Sequence, residues 1–356
     1  MAIDKVTTAS ITDANITTAK LAYDAAPFRN IIINGDMSIA QRGTSTASIT
    51  GNTYALDRFL LSFSGSQGTW TVAQSSTVPS GQGFATSTKI DCTTADASPA
   101  AGDRIFYAQR IEGQNLQYLK KGTSSAESTT LSFWVRSNKT GTYIANLFDN
   151  DNSRHISKSY TISSADTWEK KTITFAGDTS GTFGNDNARS LDLRLYLGAG
   201  TNFTSGTLAT SWESATNANA AVGQVNLADS TSNEWYVTGI QLEAGTSASD
   251  FEFLPVDVNF DRCQRYFQTC FLQFFVLARF KASSGNPINC FIYPKEMRAA
   301  PTYGTTGTFT TSSGFAGTPT GADIKTMSIA LTGANSESAN DIVYANDGSI
   351  TLDAEL

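Results

Sequence analysis

In the stretch SLDLRLYLGAG, Leu191, Leu193, Leu195 and Leu197 alternate with Asp192, Arg194 and Tyr196, the two-residue period of a half-buried strand. Six further segments read the same way: DRFLLSFSG, GTWTVAQ, TLSFWVRSN, GTYIANLFDN, WEKKTITFAG and EWYVTGIQLEAG. Gly, Asn, Asp and Ser punctuate them, as turns require. Many short strands between Pro27 and Pro255, with no convincing helix among them, predict antiparallel sheets packed face to face, a β-sandwich or jelly roll. Asn34-Gly35-Asp36 reads as the turn after its first strand, formed by Ile31 to Ile33.

Two regions break the pattern. In KVTTASITDANITTAKLAYDA, Val6, Ile11, Ile16 and Leu21 recur every five residues, which is neither the helical nor the strand period. So thin a segment cannot bury these side chains alone. It is expected to meet its copies around a symmetry axis or to dock on a neighbouring protein, as a trimerising or anchoring repeat; a disordered arm is the alternative. After Pro255, Phe260, Cys263, Phe267, Cys270 or Phe271, and Phe274 fall at spacings of three and four, predicting a short amphipathic helix before a strand near 271–280. The reading is therefore all-β in three parts: an N-terminal repeat (1–26), a central sandwich (27–255) and a small β-rich C-terminal domain with one short helix (256–356).

Composition narrows the partners. Only 16% of the 356 residues are charged, against about 25% in an ordinary domain, and Thr, Ser, Asn, Gly and Ala fill the gap. The net charge of −7 comes with no lysine or arginine cluster to follow a phosphate backbone, so nucleic acid is not expected as a partner. A polymer of neutral hydroxyls suits such a surface better. The opening Met1-Ala2-Ile3-Asp4-Lys5 lacks the apolar stretch of a signal peptide, and the longest apolar run, Phe274 to Ala278, is too short to enter a bilayer as a span. Cytoplasmic synthesis and no membrane insertion are expected.

Candidate chemistry is sparse. The four cysteines show no zinc spacing and read as buried thiols, and the single histidine, His155, removes most metal and triad options. His155 is expected to be exposed at a strand end. The neighbouring Asp149 to Asn152 could present oxygen ligands to calcium, but it lacks the EF-hand glycine and glutamate and reads better as a hairpin tip. Nucleotide, hydrolase and metalloprotease motifs do not occur, and carboxylate pairs for glycoside hydrolysis cannot be recognised without their separation. Neither cofactor nor metal is expected.

Aromatic residues remain: 21 Phe, 12 Tyr and 5 Trp. Trp134 and Trp168, in or beside strands, read as core. Trp70 and Trp212 lie in Gly, Ser and Thr surroundings, where both a core role and a sugar-stacking platform stay open. Tyr196 and Arg194, on the polar face of one strand, are secondary carbohydrate-binding candidates.

The ordered succession of NIIINGDMSIAQRG, LSFWVRSNKTGTY, TWEKKTITFAGDTSGTF, YVTGIQLEAGTSASDFEFLP, CQRYFQ and PKEMRAAPT, coming after the short repeat, resembles the tail-fibre and minor tail proteins of bacteriophages over roughly residues 6–305. The resemblance implies a non-enzymatic virion protein, a homotrimeric fibre whose jelly roll is similar to carbohydrate-binding modules. Its repeat would attach to other virion proteins, and the rest would meet a host cell-surface glycan. Alternatives are a head fibre or capsid decoration protein with a mainly structural role, and a polysaccharide depolymerase. The last fifty residues match none of the family's blocks.

Overall fold

The computed structural model describes residues 28–272, 275–279, 288–311, 317–331 and 342–356, and their side chains outside 271–291, 305–322 and 327–349. Val6, Ile11, Ile16 and Leu21 lie outside the described residues. The sandwich is built from β1 (Ser45–Ile49), β2 (Thr53–Leu56), β3 (Phe59–Ser64), β4 (Thr69–Ser75), β5 (Ser87–Thr94), β6 (Arg104–Glu112), β7 (Thr129–Ser137), β8 (Gly141–Asp149), β9 (Arg154–Ile162), β10 (Glu169–Phe175), β11 (Arg189–Ala199), β12 (Glu213–Ser214) and β13 (Glu234–Ala244). A six-stranded sheet runs β1-β4-β5-β13-β7-β10, and a seven-stranded sheet runs β12-β9-β8-β11-β6-β3-β2. Their pairings are antiparallel, and the fold is the all-β sandwich that the alternation predicts.

The core lies between the sheets. Leu191, Leu193, Leu195 and Leu197 of β11 face it together with Val72, Phe133, Val135 and Trp235 from the opposite sheet. Ring pairs cross the interface: Phe133 meets Tyr160 edge-on at 5.1 Å, and Tyr107 meets Trp235 at 6.2 Å. Tyr107 keeps its hydroxyl satisfied across the same interface, 3.0 Å from Thr88 Oγ1. A buried phenol left unpaired would cost roughly 1–3 kcal/mol.

The NIIINGD segment corrects the sequence reading. Residues 31–36 form no strand; the first strand of the sandwich is β1. Side chains take the place of a ladder. Asn30 Nδ2 donates to Ile240 O at 3.1 Å, and its Oδ1 accepts from Ile32 and Leu242 N–H at 3.0 and 3.1 Å. Asn34, buried and left-handed at φ 60°, donates to Ile39 O and Asp57 O and accepts from Ile39 N–H. Between them Gly35 lies so close to β13 that a Cβ would sit 2.1 Å from Ile240 O. The segment is a buried clasp that Ile31, Ile32 and Ile33 seat in apolar surroundings.

The clasp also holds the elements C-terminal to the sandwich. After the four-residue α1 (Thr201–Thr204) in a sandwich loop, the second helix is α2 (Val256–Gln264). Asn259 of α2 accepts from Asn34 N–H at 3.2 Å and donates to Asp36 Oδ1 at 3.2 Å. This helix is shorter than the three-and-four spacing suggests: Phe267 and Cys270 belong to β14 (Phe267–Leu272), and Phe260 is partly exposed. Then come β15 (Phe275–Arg279), β16 (Ile288–Ile292), β17 (Thr302–Thr311), β18 (Gly317–Ala322), β19 (Thr326–Leu331) and β20 (Ile342–Asp353). β20 pairs with β14, β15 and β17, and β19 lies between β16 and β18. Glu355 pairs with Arg58 and Arg42, and Tyr54 donates to Leu356 O at 2.8 Å, fastening the last residues to the sandwich. Cys92, Cys263 and Cys270 are buried free thiols, as expected, and burial pushes Cys92 and Cys270 up to about 11.

Candidate functional site

The four residues singled out for carbohydrate binding do not converge. Trp70 is 0% exposed in the main core, its indole N–H donating to Gln67 O at 2.6 Å. It offers no ring face, so the platform reading of Trp70 is replaced by the core one. Tyr196 does sit on the outward face of β11, but the loop after that strand covers it with Phe203, Ala220 and Ala221, leaving it fully buried. Arg194 is spent locally: it bonds Asp192 Oδ2 at 2.7 and 3.0 Å and lies 3.9 Å over the Phe148 ring. Neither Arg194 nor Tyr196 has the open surface that sugar contact needs. Only Trp212 remains, half-buried on the edge of the core, with its indole N–H fixed to Ala176 O at 2.7 Å.

Beneath Trp212 lies a buried cation cage. The Lys121 ammonium contacts Asp149 Oδ2 at 2.6 Å, Asp178 Oδ2 at 3.1 Å, and the carbonyls of Ser180 and Gly181 at 2.9 and 2.8 Å. Burial pushes the Asp178 carboxyl up, but the hydrogen bonds from Arg154, Ser180 N–H and Lys121 outweigh it and hold the group below the usual carboxylate range. Asp149 to Asn152 is thus a hairpin tip, as the sequence suggests, with its first carboxylate turned inward onto a lysine. Among the described residues no group of three His, Cys, Asp or Glu side chains is placed to hold a metal ion.

His155 also departs from expectation. It is 2% exposed and contacts Glu213 at 3.2 Å. Burial depresses its basicity, and the Glu213 contact only partly offsets this.

An outward aromatic cluster lies on the outer face of the six-stranded sheet, where sequence reasoning did not place it. Trp134 and Trp168 are partly exposed there and outside the core between the sheets, and Tyr236 beside them is buried. Antiparallel register sets Tyr236 opposite Arg136, and Thr238 and Lys170 on either side of Trp134. Trp168 meets Tyr236 edge-on at 6.2 Å, and the Arg136 guanidinium lies 4.8 Å over the Tyr236 ring. Arg136 is held by Asp166 at 2.7 Å and Glu234 at 3.3 Å, and Lys89 by Glu234 at 2.8 Å. These ion pairs fix a patch of two partly exposed tryptophans bordered by charged groups, while Thr238 is buried and donates to Thr86 O at 2.8 Å. Such a surface can stack on the apolar face of a sugar ring while its rim bonds the hydroxyls.

The signal for this patch was in the strand period. In TLSFWVRSN, Trp134 shares its parity with Ser132 and Arg136, the polar set, whereas in GTWTVAQ Trp70 shares its parity with Val72, the apolar set.

A separate cavity of about 390 Å³ lies at the end of β6, walled by Ile31, Ile33, Gln109, Arg110, Tyr118, Arg262 and neighbouring residues.

No family model and no curated protein matches the chain. Solved structures similar to it include the enzymatically active domain of bacteriophage CBA120 tailspike protein 4, at 15% identity over 62% of this chain and 22% of that one, with a TM-score of 0.34. The family 11 carbohydrate-binding module from Clostridium thermocellum matches at 10% identity over 58% of this chain and 98% of the module, TM-score 0.30. The CBM22-1 xylan-binding domain of Paenibacillus barcinonensis Xyn10C matches at 10% identity over 62% and 96%, TM-score 0.27. The chain spans about a fifth of the length of the tailspike structure.

Proposed function

We propose that this chain is a non-catalytic bacteriophage fibre protein that recognises a host-surface glycan through its β-sandwich. The observation that carries the recognition part is the outward patch of Trp134, Trp168 and Arg136 packed around the buried Tyr236 ring, two partly exposed indoles on one sheet face with ion-paired neighbours. Rigid strands hold such a platform in place before a ligand arrives, which limits the ordering cost of binding. Trp212 is a second, isolated stacking surface at the edge of the core.

The virion assignment is supported by the ordered sequence blocks. The NIIINGDMSIAQRG block forms the clasp between the sandwich and α2. In this reading the preceding repeat anchors the chain to other virion proteins and closes a homotrimer. Three linked copies raise avidity by roughly 10²–10⁴ when they engage together, so weak single sites suffice. The test is a glycan array probed with the full chain and with Trp134→Ala and Trp168→Ala. Binding that falls in both variants supports the reading, and release of oligosaccharide from host polysaccharide would replace it with a depolymerase. Electron microscopy of particles separates tail from head: density on capsomers would favour a decoration protein.

A further inference from the structure

The cavity at the end of β6 differs from the tryptophan patch in its chemistry. Four arginines line it, and three are committed. Arg58 pairs with Glu355, Arg265 bonds both oxygens of Glu112 at 3.0 and 2.9 Å, and Arg110 donates to Leu356 O. The fourth, Arg262, forms no ion pair among the described residues. Among the described residues its single hydrogen bond is a long one, 3.4 Å to Asn30 O. Glu252, the carboxylate whose charge acts on it, is already occupied by the Phe28 and Asn30 N–H groups at 2.7 and 3.0 Å. A guanidinium so placed is part-buried and held by no ion pair, an arrangement that favours an incoming anion.

The remaining walls select the anion. Only one arginine is unspent, which matches a single negative charge better than a dianion. Tyr118 and Phe28 are 48% and 57% exposed, and with Ile31 and Ile33 they supply apolar faces. Asn115, exposed on the same wall, adds an amide for a hydroxyl. A volume of about 390 Å³ lies within the range of small-ligand sites. We infer that this cavity is a subsite for a carboxylate-bearing sugar, a hexuronate, with Arg262 taking the carboxylate and Tyr118 the ring. The inference rests on the glycan-recognition reading and adds to it a preference for acidic polysaccharide.

Calorimetric titration of the full chain with trigalacturonate and with neutral maltotriose tests it. The expected result is at least tenfold tighter binding of the acidic trisaccharide, lost in Arg262→Gln while binding of neutral glycan on the array is retained. Tyr118→Ala, an exposed position that should fold normally, is expected to weaken the acidic ligand as well. Equal affinity for the two trisaccharides, or an acid preference unchanged in both variants, overturns the subsite. Binding of neutral glycans alone overturns the subsite and leaves the wider reading standing, whereas no binding to any glycan removes both.

Discussion

The Lys121 ammonium lies 2.6 Å from the Asp149 carboxylate, with both side chains almost wholly withdrawn from water. Asp149 also accepts from Asn152 N–H and Nδ2 at 3.1 and 2.9 Å; the pair ties the β8–β9 hairpin tip to the β6–β7 connection, and Lys121 links both to the loop after β10 through Asp178, Ser180 and Gly181. Removing one partner of a buried pair leaves the other uncompensated, at about 3–5 kcal/mol. Lys121→Met, similar in length but neutral, is expected to lower unfolding free energy by that order in urea titration. A loss near zero would mean that water or another cation replaces the ammonium without penalty.

Gly35 provides a test of the clasp. Alanine there puts a methyl 2.1 Å from a backbone oxygen of β13, which cannot swing aside as a side chain would. Gly35→Ala is expected to cost about 1–3 kcal/mol or more, as overpacking does. The midpoint of chemical denaturation measures it, and a wild-type midpoint would show that the segment is not clamped.

The tryptophans should separate stability from binding. Trp70→Ala removes a fully buried indole and is expected to cost about 3–5 kcal/mol of stability. Trp134→Ala and Trp168→Ala remove partly exposed rings and should leave the fold intact while weakening glycan binding by about 1–3 kcal/mol, on the scale of base–aromatic stacking. Thermal melts beside binding isotherms distinguish the two classes.

Acid should weaken the protein in two stages. His155 is held neutral by burial, below its ordinary value of 6.5, so protonation favours the unfolded chain. Its contribution is complete above pH 6.5 and is lost as pH falls through the depressed folded value. Asp178, Asp192 and Glu112 are buried, which alone would raise them, but their arginine, lysine and tyrosine partners hold them below the ordinary carboxylate range. Their contribution is full above about pH 4 and disappears as pH falls through their folded values. Stability of wild type and His155→Gln between pH 7 and 5 checks the first stage, where the variant should show the flatter slope.

Strands whose outer parity is polar were legible in the sequence. β4 and β11 carry a clean alternation because one parity packs on the opposite sheet, and β11 keeps a polar outer parity under its loop cover because Asp192 and Arg194 pair with each other. β6 carries none, because Phe106 and Ala108 on its outer face are covered by the loop bearing Phe203, Ala220 and Ala221. Both parities of β6 therefore read as apolar. The helix was overextended for a related reason: Phe267 and Cys270 continue a three-residue spacing by chance of composition, but their backbones pair with Asp353 and Ile350 of β20. That long-range partner cannot be seen locally. The inward turn of Asp149 depends on Lys121 and Asp178, both distant in sequence, and the cover over Tyr196 on how the loop after β11 folds back. The location of Trp134 was legible, since its parity neighbours Ser132 and Arg136 are polar.

The repeat of Val6, Ile11, Ile16 and Leu21 is tested by charge. Ile11→Asp with Ile16→Asp would place carboxylates in a shared apolar seam, which is costly unless they are paired. Light scattering is expected to show a trimer for wild type and loss of trimer for the double variant. An unchanged mass would assign the repeat another role.

In the proposed reading the outer face of the six-stranded sheet binds glycan. Probing a glycan array with the wild-type chain and with the Trp134→Ala/Trp168→Ala double variant tests it most directly. Selective wild-type binding that the double variant loses, with an unchanged melting temperature, is the expected result. Equal binding by both proteins, or none by the wild type, would contradict it.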